Sequence, residues 1–451
     1  MAERLFTHQT GSQAPKKMNA SDFTSRQQIL DHGALVAALE MPWARAVSVG
    51  LWLRTGSQDE TPANSGISHF LEHMVFKGTT RRTAAAIAGE IESVGGQLDA
   101  FTEKEYTCYY FKVLPQHLAL GLDIVTDMIV HPLLQPQDIE LEKKVVLDEI
   151  RSAEDSPEEL VFDLLPRTCW GNHPLGQPVL GREENLNHFS QPLLRDYLQG
   201  HYTAARVLVA AAGPVDFQAL VSEVERGLSD LPASPNGRPP VAPTFHSAWK
   251  FVPKGTKQVQ LCLGLPGCSR HEEERYPLAV LDCALGGGMS SRLFQEIREK
   301  RGLAYSIGTA QASYHNTGLF TIGAGTSPQT APLVLEIILR ELKDLASRGL
   351  SGEELQRAKE QLKASLILSL ETTSAHMNWL ARSLLYYGRQ VPLEEVLTHL
   401  DQVTPADVIR VTRERLAAGR VALAVVGGVE ESEVAEWWEL VSNAEGEPKE
   451  V

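Results

Sequence analysis

An internal repeat constrains the fold of this chain more than any other feature of its sequence. Residues 49–53 and 259–263 are apolar, strand-like runs that lie 210 residues apart. Residues 206–216 and 420–430 form a second matched pair, 214 residues apart, and each begins with Arg-Val and later reaches a glycine. Apolar strands resemble one another in any protein. The shared order and nearly constant offset nevertheless favour duplication of a unit of about two hundred residues.

A proline-rich stretch divides the chain near its middle. Residues 231–248 contain five prolines, so they cannot join a helix or a central strand and are expected to form an extended linker. At 451 residues the chain is also too long for one ordinary core. We therefore predict five segments: a polar tail at 1–25, an N-terminal domain at 26–230, the linker at 231–248, a homologous C-terminal domain at 249–442 and a loose tail at 443–451.

The spacing of apolar residues predicts the elements of each half. Apolar residues recur at helical intervals within 64–77, 83–94, 116–130 and 136–153, whereas 97–113 is rich in aromatic residues and threonine and is typical of a strand. Strands and helices do not alternate regularly, as they would in a parallel βαβ fold. The sequence therefore predicts the α+β class, with two homologous domains that each pack helices on a mainly antiparallel sheet.

Composition and charge exclude several classes of protein. The net charge of −15 disfavours nucleic acid as a partner, and no apolar run approaches the length that membrane insertion needs. Five scattered cysteines are typical of a reducing compartment. The first 25 residues show neither a secretory signal nor the Arg-rich pattern of a transit peptide, so we expect a bacterial-type cytoplasmic location rather than a mitochondrial one.

The densest group of chemically active side chains is His69, Glu72 and His73. On a helix, the two histidines project from one face, and Glu72 lies beside them. Two imidazoles can share a metal ion, and a neighbouring carboxylate can take a proton from water bound to it, as in the inverted zinc-peptidase motif. The alternative is a surface histidine pair beside a glutamate, because three fixed residues in five arise by chance in roughly one such chain in thirty.

A third ligand is expected on the predicted helix at 136–153. Glu142 and Glu149 lie on one face of it, mixed with Val145 and Val146. A catalytic zinc site takes three protein ligands and keeps a fourth position open. We predict Glu149 as the third ligand, and Glu142 as a residue that supports a ligand without binding the metal. An ordinary pair of surface glutamates two helical turns apart remains an open alternative from the pattern alone.

Several stretches together resemble the pitrilysin/insulinase family of zinc peptidases, especially its shorter branch, which includes the catalytic subunit of mitochondrial processing peptidase. The stretches are residues 64–78, 95–102 with Glu105, 145–150, 174–181 and 285–307. The resemblance implies one Zn²⁺ per chain and an endopeptidase that cleaves peptides or unstructured protein segments. The implied ligands are His69, His73 and Glu149, with Glu72 as general base on the zinc-bound water and Glu142 in support.

The resemblance also implies where a substrate binds. In the family a substrate peptide adds as a strand to a sheet edge, and the corresponding residues here are Gln97, Leu98, Asp99, Ala100, Phe101 and Thr102. Asp99 stands where the processing-peptidase pattern has asparagine. Because an ionised aspartate cannot donate a side-chain hydrogen bond, the peptide-anchoring role of this position is open.

Arg298 and Tyr305 match the arginine–tyrosine pair of the family, which contacts the substrate or the tetrahedral intermediate. Taken without the family, Arg298 is a solvated helix charge and Tyr305 a core aromatic residue. Family members of this length work as dimers. The resemblance therefore implies a homodimeric clamshell in which Arg298 and Tyr305 of one subunit serve the zinc site of the other.

Two other functions are alternatives to a zinc peptidase. A serine or cysteine hydrolase is disfavoured because the chain contains no Gly-x-Ser-x-Gly elbow and no cysteine in a nucleophile context. The other alternative is a catalytically silent scaffold or partner subunit of a peptidase or respiratory complex. Such relatives lack parts of the zinc motif, whereas His69, Glu72, His73 and Glu149 are all present here.

Overall fold

Each half of the chain is built on one β-sheet, and the two sheets repeat one strand order. The computed structural model describes residues 23–233, 241–416 and 419–443. Over these ranges, no helix combines the length and the apolarity that crossing a membrane requires.

The first sheet contains six strands. They are β1 (Thr24–Ile29), β2 (Leu35–Glu40), β3 (Val47–Leu53), β4 (Gln97–Thr102), β5 (Thr107–Val113) and β6 (Val207–Gly213). Their order is β1-β2-β6-β3-β5-β4. Only β2 and β6 pair in parallel, and the other neighbours are antiparallel. Strand β4 therefore lies at an edge, where one side of its backbone has no neighbouring strand within the described part of the chain.

The strand predicted at 97–113 is in fact the hairpin of β4 and β5. A turn at 103–106 separates the two strands and is closed by the Glu103 amide, which donates to the Tyr106 carbonyl at 2.8 Å. The aromatic and threonine residues that indicated a strand occur on both sides of this turn. The charged residues Glu103, Lys104 and Glu105 form the turn that separates the two strands.

The second sheet repeats this arrangement with five strands. They are β7 (Trp249–Pro253), β8 (Val259–Pro266), β9 (Ala304–Ser313), β10 (Gly318–Thr326) and β11 (Ala422–Gly427). Their order, β7-β11-β8-β10-β9, matches β2-β6-β3-β5-β4, and in both sheets the first pair is the parallel one. The repeated runs of the sequence fall on matching strands, β3 with β8 and β6 with β11. The predicted α+β class with two homologous domains is confirmed.

Eight α-helices lie in the first half of the described chain. They are α1 (Ile67–Val75), α2 (Ala84–Ser93), α3 (Leu118–Val130), α4 (Pro136–Asp155), α5 (Pro157–Trp170), α6 (Glu183–Leu186), α7 (Gln191–His201) and α8 (Phe217–Gly227). The helix predicted at 64–77 is shorter at both ends. It begins only after Gly66, whose φ of 93° is left-handed, and Gly78 pairs with Thr83 in an isolated β-bridge instead of capping the helix directly.

Seven α-helices lie in the second half of the described chain. They are α9 (Arg275–Leu285), α10 (Ala331–Arg348), α11 (Gly352–Ser369), α12 (Thr373–Tyr387), α13 (Leu393–Gln402), α14 (Pro405–Val411) and α15 (Glu431–Ser442). Two π-helical segments, Phe294–Glu299 and Thr412–Leu416, complete this half.

Each half of the chain contributes one helix that packs on the sheet of the other half. One face of each sheet packs on helices of its own half and forms the main core there. The opposite face of the first sheet is covered by α12, with Leu380 and Met377 against Trp52 and Leu208. The opposite face of the second sheet is covered by α5, with Leu165 close to Cys262. Each half therefore completes a core of the other.

The predicted tails lie almost entirely outside the described residues. Of the N-terminal tail predicted at 1–25, only 23–25 are described, and β1 already begins at Thr24. Of the C-terminal tail at 443–451, only Asn443 is described. Residues 234–240 of the predicted linker also lie outside the described part, and 241–248 contain no helix or strand.

Leu380→Ala should lower the free energy of unfolding by about 2–4 kcal/mol, because it removes a side chain that is 2% exposed and leaves a cavity under the first sheet. The midpoint of urea unfolding measures the effect. Leu368→Ala on the adjacent helix α11 is the matched control. Its side chain is 65% exposed, so a change of under about 0.5 kcal/mol is expected. Equal effects of the two variants would contradict the packing of α12 on the first sheet.

Candidate metal centre

The amphipathic pattern of α1 fixes which way its polar side chains project. The side chains on its apolar face are buried in the core of the first half; they are Ile67, Phe70, Leu71, Met74 and Val75. The remaining face carries His69, Glu72 and His73, which helical spacing brings side by side. The core contacts of α1 thus turn both candidate histidines away from the core and towards helix α4.

The start of α1 is held by three separate contacts. The Glu60 carboxylate accepts hydrogen bonds from the amides of Gly66 at 2.7 Å and Ser68 at 2.9 Å. These two amides at the start of the helix have no partner within it, and Glu60 supplies one. Gly66 also lies against Gly181, whose Cα would be 2.7 Å from any added Cβ. The Ser68 hydroxyl pairs with the Tyr197 hydroxyl at 2.9 Å. These contacts fix the position of the helix that carries the histidines.

The structure brings His69, His73 and Glu149 together. Helix α4 packs against α1, and one carboxylate oxygen of Glu149 lies 3.6 Å from His73 Nε2 and 3.9 Å from His69 Nε2. The two imidazole rings are 4.6 Å apart, centre to centre. Across the described ranges, no other three His, Cys, Asp or Glu side chains come as close together around one point.

The three side chains fit a zinc ion. The Glu149 oxygen that faces both rings is buried without a hydrogen-bond partner, and its distances to the ring nitrogens are too long for hydrogen bonds. Two ligands that each lie about 2.1 Å from a tetrahedral zinc are about 3.4 Å apart, close to the observed separations. Two imidazoles and a carboxylate are a zinc donor set that leaves a fourth position open.

Glu142 orients one of the two histidines. It is 4% exposed, and its Oε1 lies 2.9 Å from His73 Nδ1, while its other oxygen pairs with Lys77. Burial alone would raise the pKa of Glu142, but the hydrogen bonds from His73 and Lys77 hold it below the ordinary value. An ionised Glu142 accepts a hydrogen bond from the Nδ1–H of His73, which leaves the Nε2 lone pair free for a metal.

The pKa values of the two histidines are shifted in opposite directions. Burial, together with the nearby His73, lowers the pKa of His69 to about 4, so His69 is neutral at physiological pH. Burial also acts to lower the pKa of His73, but the Glu142 hydrogen bond and the Glu149 carboxylate outweigh it and raise that pKa. The neutral form is the one that binds metal.

Glu72 lies beside the histidines and is held by the edge strand. The Thr102 hydroxyl, at the end of β4, donates to Glu72 Oε2 at 2.5 Å and leaves the other carboxylate oxygen free. Burial raises the pKa of Glu72, and the Thr102 hydrogen bond only partly opposes this effect. A carboxylate with a raised pKa is a stronger base than an exposed one, which suits proton transfer.

The predicted substrate residues Gln97, Leu98, Asp99, Ala100, Phe101 and Thr102 make up strand β4. The strand pairs with β5 on one side only. Beside it lies a cavity of about 560 Å³, which is lined in part by Phe76, Ile87, Ile91, Leu98 and Asp99. The Asp99 carboxylate is already engaged, because it accepts hydrogen bonds from the Ala100 amide at 2.8 Å and from the Tyr110 hydroxyl at 3.1 Å.

Arg298 and Tyr305 lie together in the second half of the chain. The Arg298 guanidinium is 5.5 Å from the centre of the Tyr305 ring, and Tyr305 is 72% exposed at the start of β9. Tyr305 is therefore not a core aromatic residue. Within the described part of the chain, no hydrogen bond or ion pair joins Arg298 or Tyr305 to His69, His73 or Glu149.

Two supporting residues were not predicted from the sequence. Lys77 lies two residues beyond the end of α1 but within the helix predicted at 64–77, four residues after His73, a spacing that could have suggested its contact with Glu142. Glu60 lies in an irregular segment, six residues before Gly66. No periodic pattern relates Glu60 to the helix start that it caps.

Two imidazoles on one helix, a carboxylate on a second and a free glutamate beside them are the arrangement expected of a zinc peptidase with the inverted motif. Sequence comparison agrees. Residues 35–183 match the family described as Insulinase (Peptidase family M16), and residues 188–362 match the domain described as Peptidase M16 inactive domain. The chain belongs to this insulinase family, M16.

Bacterial relatives support the assignment over most of the chain. An uncharacterized zinc protease of Streptomyces coelicolor is 39% identical over 93% of this chain and 93% of its own length. The uncharacterized zinc protease YmxG of Bacillus subtilis is 41% identical over 82% of this chain and 91% of its own length. A protease from Helicobacter pylori of known structure has the same fold, with a TM-score of 0.83 and 21% identity over 90% of this chain and 99% of that one.

Glu142→Gln should weaken zinc binding by about 10–100-fold, because glutamine keeps the shape but loses the charge that holds His73 and Lys77. Competition with a chromogenic zinc chelator measures the affinity. Glu140→Gln is the matched control on the same helix, since Glu140 is exposed and its one ion pair among the described residues is with Lys143. If both variants bind zinc as tightly as the unmodified chain, Glu142 does not support a zinc ligand.

Proposed function

We propose that this chain is a zinc-dependent endopeptidase that cleaves peptides or unstructured protein segments. The observation that carries the proposal is the unpartnered Glu149 oxygen that faces the Nε2 atoms of His69 and His73. Glu72 projects from the same helix face as the two histidines and supplies the base that hydrolysis needs. Relatives named zinc proteases, similar over most of their length, support the same activity.

The proposed chemistry assigns one task to each side chain. His69, His73 and Glu149 would hold one Zn²⁺, which, when bound, acidifies a coordinated water and polarises the scissile carbonyl. Glu72 takes a proton from the attacking water on the oxygen that Thr102 leaves free, and it then delivers that proton to the leaving amine. Glu142 keeps the Nδ1 proton of His73 in place, so that Nε2 remains a ligand.

A substrate would bind by strand addition to β4. The free edge of β4 offers backbone donors and acceptors to an extended peptide, and such pairing accepts many sequences. Thr102 ends this strand and contacts Glu72, so a peptide paired along β4 would pass beside the base. Asp99 would act as a hydrogen-bond acceptor, because its carboxylate already accepts two hydrogen bonds. Selectivity between substrates would come from the adjoining cavity.

The proposed assembly is a homodimeric clamshell with one zinc site in each chain. Tyr305 is exposed and Arg298 lies beside it, and neither contacts the histidines of its own chain within the described residues. A cation and a phenol can stabilise a developing oxyanion. We assign the two side chains to the zinc site of the partner subunit. The proposed location is the bacterial-type cytoplasm, since all five cysteines are free and buried.

Glu72→Gln should lower kcat for unstructured peptides by about 10²–10⁴-fold while zinc stays bound, because the amide cannot accept the proton. Cleavage of a quenched fluorescent peptide mixture and elemental analysis of the same samples measure both quantities. Glu140→Gln serves again as the control, with unchanged kcat and zinc content. Undiminished hydrolysis in Glu72→Gln would exclude Glu72 as the base, and a zinc-loaded chain without any hydrolysis would favour the scaffold alternative.

Mixing Arg298→Ala chains with Glu72→Gln chains should restore part of the activity that each variant lacks. In a mixed dimer, one site combines the intact Glu72 of the first chain with the intact Arg298 of the second. Peptide cleavage is measured before and after the chains exchange, and size-exclusion chromatography with light scattering reports the oligomeric state. Activity of the mixture no higher than that of either parent would contradict a shared site.

A further inference from the structure

The turn between β4 and β5 is attached to the second half of the chain through Glu105. One oxygen of its carboxylate accepts a hydrogen bond from the His315 amide at 2.8 Å, and the other accepts one from the Tyr386 hydroxyl at 2.8 Å. His315 lies in the turn between β9 and β10, and Tyr386 lies on α12. A single side chain of the N-terminal half thus joins two separate elements of the C-terminal half.

Two hydrogen-bond donors and a nearby cation surround the Glu105 carboxylate. Burial raises the pKa of Glu105, and its bonds with His315 and Tyr386 and the charge of Arg270 oppose this rise only in part. The Arg270 guanidinium also lies over the Tyr386 ring, 4.8 Å from its centre. Hydrogen bonds to an ionised carboxylate are roughly twice as strong as those between neutral groups. Glu105 is therefore a firm connection between the two halves.

The same turn also connects Glu105 to the candidate base, Glu72, through Thr102. Only the two residues Glu103 and Lys104 separate Glu105 from Thr102, and the turn that contains them is closed by the bond from the Glu103 amide to the Tyr106 carbonyl. Thr102 in turn donates to Glu72. A short, closed turn transmits a displacement at one end to the other. A shift of the second half would therefore move the hydroxyl that positions Glu72.

We propose that Glu105 is a positioning residue through which the C-terminal half of the chain aligns Glu72 in its own subunit. The inference depends on the proposed peptidase function. It gives a role to the half that matches the domain described as inactive, separate from the contribution of Arg298 and Tyr305 to a partner. The half without zinc ligands sets the position of Thr102, and Thr102 sets the position of the base.

Glu105→Gln tests this role, because the amide keeps the size of the side chain but turns a donor towards one of its two donor partners. We expect kcat to fall about tenfold through misalignment of the base, with unchanged zinc content and a change in KM of less than about twofold. Lys254→Ala is the matched control. It breaks an ion pair with Asp155 that also joins the halves but does not touch the hairpin, so activity should be unchanged.

Tyr386→Phe removes one hydroxyl from the same connection and is the less disruptive variant. Its effect on kcat should be smaller than that of Glu105→Gln, and the double variant should be no slower than Glu105→Gln alone, because both changes break one contact. Multiplicative losses in the double variant would show that the two side chains act independently and would overturn the proposal. So would a wild-type kcat in Glu105→Gln.

Hydrogen–deuterium exchange gives a readout that needs no catalysis. Amides within 97–107 should exchange faster in Glu105→Gln and Tyr386→Phe than in the unmodified chain or in Lys254→Ala. If unmodified, zinc-loaded protein cleaves no peptide, the proposed function fails, yet the exchange data still test the connection. If cleavage is present and exchange within 97–107 is the same in all four proteins, the positioning role is wrong and the peptidase function stands.

Discussion

Two imidazole nitrogens and one carboxylate oxygen face each other across a gap that no hydrogen bond closes, and the rest of the structure depends on this constraint. A buried carboxylate oxygen without a partner costs about 1–3 kcal/mol, so it persists only where the surrounding fold holds it. Here the packing of helix α1 against helix α4 holds the carboxylate oxygen in place. The arrangement is unfavourable for the protein alone and favourable with a divalent cation, which is how a preformed metal site differs from a chance cluster.

The rigidity of α1 is secured at both of its ends. At its start, burial raises the pKa of Glu60 to about 7, while the Gly66 and Ser68 amides that bond to it favour the charged form. Near its end, His73 is tied to Glu142 and through it to Lys77. A carboxylate at a helix start also interacts favourably with the helix dipole. The helix that carries the histidines and Glu72 thus meets acidic groups at both ends.

Local patterns in the sequence predicted much of this molecule. The spacing of His69, Glu72 and His73 on an amphipathic helix depends only on helical geometry, and so does the shared face of Glu142 and Glu149. The repeat predicted two related sheets because equivalent strands keep equivalent sequence offsets. The helix pattern made Glu149 the candidate third ligand, but an exposed pair of glutamates has the same spacing, and only the family resemblance decided between the two.

Contacts between distant residues could not be predicted in this way. The bond between Glu105 and Tyr386 joins residues 281 positions apart, and nothing near either one marks the other. The packing of α5 and α12 on the sheet of the other half could not be predicted either, because the apolar face of a helix does not indicate which sheet it will cover. These contacts arise from the duplicated topology as a whole, in which every sheet has a second face to cover.

The packing of α12 on the first sheet also affects how the chain is made. Because α12 follows β3 by more than three hundred residues, the face of the first sheet that bears Trp52 and Leu208 stays bare until nearly the whole polypeptide has left the ribosome. Contacts of such long range form slowly. The half that carries His69, His73 and Glu149 is therefore an incomplete folding unit during synthesis, with one apolar face of its sheet exposed to solvent.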